Sequence, residues 1–294
     1  MKIEQSIELK EGVEFLKGLD NNSVDLVLTD PPYITSRETG MDKWVDHVNE
    51  QDKAGSQDVK TTEQWNSYKT AEQWQQFFEN SKFKDNKELW RDELEKHKRN
   101  YLKYGSIYGK KYAVKTDYGE WDSKFTLESL NEFVHQFYRV LRKGGTAIVF
   151  FDLWKITDLK NILEQNKFKQ LRFVEWIKTN PQPLNSSRNY LTNCREIALL
   201  GVKVGSPTFN SKYDNAIYSY PLQGGKDRFH PTQKSLLLFQ DLIAKHSNPG
   251  DLVIDPFSGS GTTAVASKIT ERNFLGCEVD ETFFEKSLAR LENS

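Results

Sequence analysis

The chain has 294 residues, a formal net charge of −1 and two cysteines. An isoelectric point of about 6.6 excludes a global electrostatic pull toward nucleic acid, so any contact with DNA must come from local basic patches. Cys194 and Cys277 lie far apart without metal-ligand or disulfide spacing, no run approaches a membrane span, and Glu4, Glu8 and Glu11 stand where a signal peptide would be apolar. These features point to a cytoplasmic protein of a reducing compartment, with no metal and no membrane partner.

From the N-terminus the pattern predicts a strand over Ser6 to Leu9, a helix over Val13 to Leu19 and a buried strand from Val24 to Leu28. That strand runs into Thr29-Asp30-Pro31-Pro32-Tyr33. The two prolines withhold their N–H groups from a sheet and keep the backbone extended, which sets Asp30 at the C-terminal lip of the strand. In open α/β sheets ligands bind at that lip. An acid, a carbonyl fixed by proline and a flat ring suit a planar base with an exocyclic amine. The amine can donate to Asp30 and to the Pro31 carbonyl while the ring stacks on Tyr33. The plain alternative is a strand-ending Asp with a proline stop. Glu11, just after the first strand, either reaches the same lip or is a solvated turn acid.

Between Thr35 and Asp122 apolar periodicity thins. Trp44, Trp65, Trp74 and Trp90 gather in an otherwise polar region, and Met41 to Thr62 reads as a mobile or loosely packed insertion. Helices are expected at Ala71 to Phe78 and Lys87 to Tyr104. The second carries Lys87, Arg91, Lys96, Lys98, Arg99 and Lys103, and Lys110, Lys111 and Lys115 follow it. Mixed with Tyr101, Tyr104, Tyr108 and Tyr112, these cations have the composition of a surface that tracks phosphates and stacks bases. A solvated helix paired through Glu88, Asp92, Glu93 and Glu95 is the competing reading.

Regular structure then returns. A helix is expected from Leu127 to Leu141, stopped by Lys143-Gly144-Gly145, then a strand from Thr146 to Phe151. A helix over Ile156 to Leu163 and strands over Phe173 to Ile177 and Ile197 to Val202 follow. Asn180-Pro181-Gln182-Pro183 opens a loop that carries Arg188, and Gly205 to Phe229 is polar and turn-rich, with Lys212, Lys226 and Arg228. His230-Pro231-Thr232-Gln233-Lys234 precedes a helix from Leu236 to His246. The strand Leu252 to Ile254 leads into Asp255-Pro256-Phe257-Ser258-Gly259-Ser260-Gly261-Thr262-Thr263-Ala264 and a helix. A strand over Phe274 to Cys277 ends in Glu278, and a last helix spans Glu281 to Leu291.

The glycines of Gly259-Ser260-Gly261 let the backbone pass close to a ligand. No Lys follows them, which argues against a phosphate-cradling loop. A dinucleotide turn is compatible with Gly259, Gly261 and Ala264, with Glu278 as the ribose acid, but Asp255 would then face a pyrophosphate. A cofactor with a cationic centre, an amino group and a ribose fits better, and S-adenosylmethionine meets that description. Only two helices and one strand follow this turn, so the earlier strands must complete the sheet, and the cofactor half comes last in the chain.

Asp-Pro-Pro-Tyr together with Asp-Pro-Phe-Ser-Gly-Ser-Gly-Thr-Thr resembles the amino-methyltransferases of DNA, and the order of the two motifs resembles their beta group. The resemblance covers about 1–36 and 122–294. It implies an α/β, Rossmann-like S-adenosylmethionine-dependent methyltransferase fold, mostly parallel and twisted, with helices on both faces and a circularly permuted motif order. It implies catalytic roles for Asp30, Pro31, Pro32 and Tyr33 on a base flipped from the duplex. It assigns the cofactor to Asp255, Phe257, Ser258, Gly259, Gly261, Thr262 and Glu278, with His230, Thr232 and Lys234 lining the methionine pocket and Glu11 beside them. Lys10 and Ser235 replace a Gly and a Pro usual in that family. Adenine N6 is implied over cytosine N4, since Asp before Pro-Pro-Tyr mostly goes with adenine. A specificity subunit without turnover and a nicotinamide oxidoreductase are the other classes. Double-stranded DNA, a cognate restriction endonuclease and a second copy of the chain are the partners to expect. The region 37–121 is the expected DNA-contacting insertion, with Lys96, Lys98, Arg99 and Lys103 on phosphates, and 180–229 holds smaller target-recognition loops with Arg188.

Overall fold

A run such as Leu26-Val27-Leu28, apolar on both faces of a strand, must be covered on both sides. In the computed structural model it lies in strand β2 (Val24–Thr29), with Leu26, Val27 and Leu28 fully buried. The structure describes residues 4–34, 58, 60–109, 125–181, 193–224, 229 and 233–294. Two compact units emerge, one formed by Met1–Ile34 with Tyr118–Ser294 and the other by Thr35–Asp117.

The larger unit is built on an eight-stranded sheet in the order β1-β8-β7-β2-β3-β5-β4-β6. The strands are β1 Gln5–Leu9, β2, β3 Leu141–Phe151, β4 Lys169–Lys178, β5 Arg195–Val202, β6 Ile217–Tyr220, β7 Leu252–Asp255 and β8 Asn273–Glu278. All pairings are parallel except those of β5, which runs against β3 and β4. Along β3, Ala147, Val149 and Phe151 enter one apolar layer, while Ile148 and Phe150 enter the other. Helices α1 (Gly12–Lys17), α5 (Leu127–Val140) and α6 (Ile156–Gln165) cover the first face. Helices α7 (Leu236–His246), α8 (Thr262–Ile269) and α9 (Glu281–Glu292) cover the second. In α5, capped by Thr126, the residues Leu130, Phe133, Val134, Phe137 and Val140 form the buried stripe that its helical period requires.

Two details differ from the sequence reading. Lys143-Gly144-Gly145 does not stop α5, which already ends at Val140; the tripeptide lies inside β3. Gly144 has φ of +79° there, and a Cβ on it would come within 2.3 Å of the Ser206 carbonyl oxygen, so the close approach of two backbones fixes glycine at this position. Within the turn-rich stretch after Gly205, Ile217–Tyr220 forms the edge strand β6, tied to the interior by Trp176 Nε1, which donates to the Tyr220 carbonyl at 2.8 Å.

The smaller unit has no described strand. Its helices are α2 (Thr62–Asn66), α3 (Ala71–Glu79) and α4 (Lys87–Tyr104). Thr61 with Gln64 and Thr70 with Gln73 form reciprocal capping boxes at the starts of α2 and α3. The core is aromatic: Trp65, Tyr101 and Ile107 are buried, with Tyr68, Trp74 and Phe77 packed on them. Tyr101 and Tyr104 are therefore buried, against the expectation that they would stack bases. The physical reason is that a unit poor in aliphatics has only its rings to exclude water from. Trp44, Lys110, Lys111, Tyr112, Lys115 and all but the end of Met41 to Thr62 lie outside the described residues.

Candidate active site

Because β1, β8, β7, β2 and β3 are parallel, Glu11, Glu278, Asp255, Asp30 and Asp152 all follow or end their strands at one edge of the sheet. Here the helices diverge to opposite faces, which opens a crevice at the carboxyl ends. β2 and β7 are neighbours, and Thr29 Oγ1 donates to Asp255 Oδ1 at 2.7 Å, joining the Asp-Pro-Pro-Tyr segment to the Gly-rich turn.

Asp30 sits where the strand pattern places it, with 17% of its side chain exposed. Its Oδ2 lies 2.5 Å from Lys234 Nζ, while Oδ1 is buried with no hydrogen-bond partner. The Tyr33 hydroxyl is likewise buried, makes no hydrogen bond of full geometry and has the Asp30 carboxylate as its polar neighbour; the ring packs edge-on against Phe151 with centroids 6.1 Å apart. Pro31 is buried. Burial raises the Asp30 carboxyl above the usual carboxylate range, with Lys234 opposing the shift. Burial, then the neighbouring Asp30, pushes the Tyr33 phenol well above its ordinary value.

The Gly-rich turn folds back on its own acid. Asp255, 3% exposed, accepts from Thr29 Oγ1, from Thr263 Oγ1 at 2.5 Å and from the Phe257 N–H at 3.0 Å. Burial pushes its carboxyl up to about 6 against those donors. Asp255 thus braces the turn from within. Ser258 Oγ donates to the Asp255 carbonyl at 3.0 Å, and Thr262 Oγ1 accepts from Arg290 at 2.9 Å, so both hydroxyls are also committed inside the protein. Gly259 and Gly261 take φ of +48° and +69°, the left-handed conformations that such a turn needs. Phe257 packs on Phe133 with ring centroids 4.5 Å apart.

Glu278 gathers the backbone N–H groups of Gly259, Val279 and Asp280 at 2.7 to 2.9 Å. Burial raises its carboxyl, and those three donors oppose the shift. Glu11 caps α1 by accepting from the Glu14 N–H at 2.9 Å, and the next residue, Gly12, lies against the turn: a Cβ there would stand 3.1 Å from the Pro256 carbonyl oxygen.

Lys234 is paired within the protein. Its ammonium reaches Asp30 and Glu196 and lies over the Tyr33 and Phe150 rings, each centroid 5.6 Å away. It therefore belongs to the Asp30 side of the crevice. His230, Thr232, Arg188, Lys226 and Arg228 lie outside the described residues. Glu196, Lys178, Thr29, Thr263 and Arg290 were not anticipated. Thr263 had a signal in the doubled threonine after the glycines, and Glu196 had one as a charge at the mouth of an apolar strand.

Lys96, Lys98, Arg99 and Lys103 all lie on α4 in the smaller unit. Lys96 is 3.4 Å from Glu93, Arg99 is exposed, and Lys103 lies over the Tyr104 ring at 5.2 Å. Among the described residues no three His, Cys, Asp or Glu side chains cluster as a metal site, and no helix is long and apolar enough to cross a membrane.

The comparisons with known proteins agree with this geometry. The family profile described as DNA methylase matches residues 104–289. The chain belongs to the DNA methylase family. Its relatives include the Type II methyltransferase M2.DpnII of Streptococcus pneumoniae, 32% identical over 205 residues that span 61% of this chain and 74% of that one. The Type II methyltransferase M2.MboI of Moraxella bovis is 32% identical over 190 residues, covering 58% of this chain and 69% of the relative. Among solved structures, the M1.HpyAVI–SAM complex aligns with a TM-score of 0.58 at 24% identity, over 97% of this chain and 98% of the other. The cytosine-N4-specific PvuII DNA methyltransferase aligns with a TM-score of 0.61 at 14% identity, over 97% of this chain and 85% of the other. These two likenesses establish the fold; the base and the cofactor rest on this chain's own residues.

The site fits a sulfonium cofactor with an amino group and ribose hydroxyls, which needs acceptors. Glu278 retains lone pairs after its three backbone bonds, and Glu11 stands beside the Pro256 turn. A pyrophosphate would meet the Glu278 carboxylate at this turn.

Proposed function

We propose that this DNA methylase transfers a methyl group from S-adenosylmethionine to the N6 amine of adenine in double-stranded DNA, as the modification partner of a restriction endonuclease. The observation that carries the reading is Asp30 Oδ1: a buried acceptor without a partner, at the lip of β2, beside a half-buried tyrosine ring and next to the Gly-rich turn. A buried acceptor left unpaired costs about 1–3 kcal/mol, so its natural complement is a donor brought by the substrate.

When bound, the cofactor supplies an electrophilic methyl group on a sulfonium. Glu278 and Glu11 would hold its ribose and methionine ends, with the Gly259–Gly261 backbone beside them. Asp30 and the Pro31 carbonyl accept the two amine N–H bonds, which turns the nitrogen lone pair out of conjugation with the ring. Tyr33 stacks on the extruded base. As the N–C bond forms, the carboxylate is placed to take the proton that the methylated nitrogen sheds. Nothing here requires a covalent enzyme intermediate. The preference for adenine rests on Asp at the head of Asp-Pro-Pro-Tyr, since the cytosine enzyme among the structural neighbours has the same fold. The endonuclease partner is suggested by the Type II names of the relatives.

The insertion leaves the catalytic unit directly after Ile34, so it is proposed to contact the duplex through the cations of α4, with the 180–229 loops reading part of the target. The test uses purified protein, labelled cofactor and genomic DNA. Transfer by wild type, loss of at least about a hundredfold in Asp30→Ala and recovery of N6-methyladenine from digested DNA are expected. N4-methylcytosine alone would reassign the base, and full transfer by the variant would remove Asp30 from the chemistry.

A further inference from the structure

The catalytic acid heads a chain of four charges, and the three behind it belong to neither the Asp-Pro-Pro-Tyr segment nor the Gly-rich turn. Lys234 Nζ is 2.5 Å from Asp30 Oδ2 and 3.0 Å from Glu196 Oε2, and Lys178 Nζ is 2.6 Å from Glu196 Oε1. The four side chains are between 7% and 19% exposed. The topology explains how they meet. β5 runs opposite to β3, with Phe151 paired to Ile197, so the start of β5 reaches the same edge as the end of β3. β4 is antiparallel to β5 in turn, which brings Lys178 at its last position to that edge. Two positive and two negative groups sum to zero, the condition under which buried charges persist.

We propose that Lys234 is the positioning residue that keeps Asp30 ionised and aims its free oxygen at the substrate amine, and that Glu196, anchored by Lys178, sets how much of the lysine's charge Asp30 receives. The inference rests on Asp30 being the amine acceptor. Lys234 lies against Oδ2, and that contact fixes the carboxylate plane, while Oδ1 makes no hydrogen bond of full geometry and has the Tyr33 hydroxyl as its polar neighbour. The flanking Tyr33 and Phe150 rings hold the ammonium in place. The other titratable groups around Asp30 are Tyr33 on its own segment, Asp152 beyond β3, Glu196 on β5 and Asp255 on β7, and none of them is a cation. Burial drives the Asp30 carboxyl up and Lys234 opposes that shift; a protonated carboxyl accepts an amine proton poorly. Burial drives the Glu196 carboxyl up, but Lys234 and Lys178 outweigh it and hold it low; Lys234 is driven down by burial yet held above its ordinary range by Asp30 and Glu196.

The proposal makes two variants move the same quantity in opposite directions, which a merely structural role would not do. Single-turnover methylation of duplex DNA by the full chain is followed against pH, with a saturating labelled cofactor. Removing the cation in Lys234→Met should raise the acid limb of the profile by about 1–3 pH units, and Lys234→Arg should bring it back toward wild type. Neutralising the competing anion in Glu196→Gln leaves Lys234 to Asp30 alone, so the limb should shift down by a smaller amount. Affinity for S-adenosylmethionine, measured calorimetrically, should stay within about twofold in both variants, a factor worth only ~0.4 kcal/mol. A limb unmoved in Lys234→Met, or unmoved or raised in Glu196→Gln, overturns the proposal while wild-type transfer leaves the function intact. If Lys234→Met shows no cooperative melting, the direction found for Glu196→Gln decides alone. Absence of transfer by wild type would instead strike the functional reading itself.

Discussion

The two units of this chain solve the same problem with different material. The larger buries aliphatic side chains in two layers on a twisted sheet, and the alternation along β3 assigns each residue to its layer. The smaller has thin aliphatic content and closes its helices on a cluster of rings, with Trp65 within 6.1 Å of Tyr68, Trp74 and Tyr101. The contrast teaches that aromatic residues among cations do not by themselves mark a nucleic-acid surface. Rings at helical spacing in a chain poor in Leu, Ile and Val are needed for the core first, and what is left for a partner is the charge on the outer face.

The strongest way to sharpen this comparison is to remove one large side chain from each core. Trp176 is fully buried and its indole N–H is bonded; Trp176→Ala should cost about 3–5 kcal/mol, seen as a lowered melting transition with loss of methylation. Trp65→Ala should cost toward the lower end of that range and act locally. Its near-ultraviolet circular dichroism should lose the aromatic contribution of the insertion, while affinity for S-adenosylmethionine stays at the wild-type value. An unchanged aromatic spectrum would show that the ring cluster is not the core of the smaller unit.

A second lever acts inside the larger unit through pH. The Asp255 carboxyl is raised from 3.8 to about 6 by folding, so the folded state binds more protons than the unfolded one between those values. The stability this group contributes is therefore fully present below about 3.8 and is lost as pH rises through about 6. The difference is on the order of 3 kcal/mol across the window. Denaturant melts of wild type and Asp255→Asn should differ in slope between pH 4 and 6, with the variant flatter. Parallel slopes would mean that the carboxylate stays ionised within its ring of donors.

The smallest expected effect concerns the outer face of α4. Neutralising Lys96, Lys98, Arg99 and Lys103 together should weaken DNA binding and flatten its logarithmic salt dependence by roughly 0.9 for each phosphate that is no longer neutralised. Cofactor affinity should not change, since the residues assigned to it belong to the other unit. A wild-type salt slope in this variant would leave the four cations as solubilising charge on a helix already paired in part through Glu93.

The sequence alone determined the elements whose signal is local. The sequence reading of α4 and α7 holds to the residue, and the strands leading to Asp30, Asp255 and Glu278 were legible because proline, glycine or charge stops each apolar run. The parallel sheet and the late position of the cofactor half followed from element order, because a parallel sheet needs crossovers on both faces. Only the tertiary structure decided what depends on contacts across the chain. The reversed direction of β5 has no local mark, since a strand reads the same whichever way it runs. β6 is four residues of an edge strand held by pairing with β4 and by Trp176, and no periodicity can show in so short a run. Lys143-Gly144-Gly145 resembles a helix stop until the Ser206 carbonyl is seen pressing on Gly144. Lys234 was assigned by its motif to the cofactor, yet its ammonium meets an acid from β2 and another from β5, because burying a lone cation there would cost more than any local preference of the loop could return.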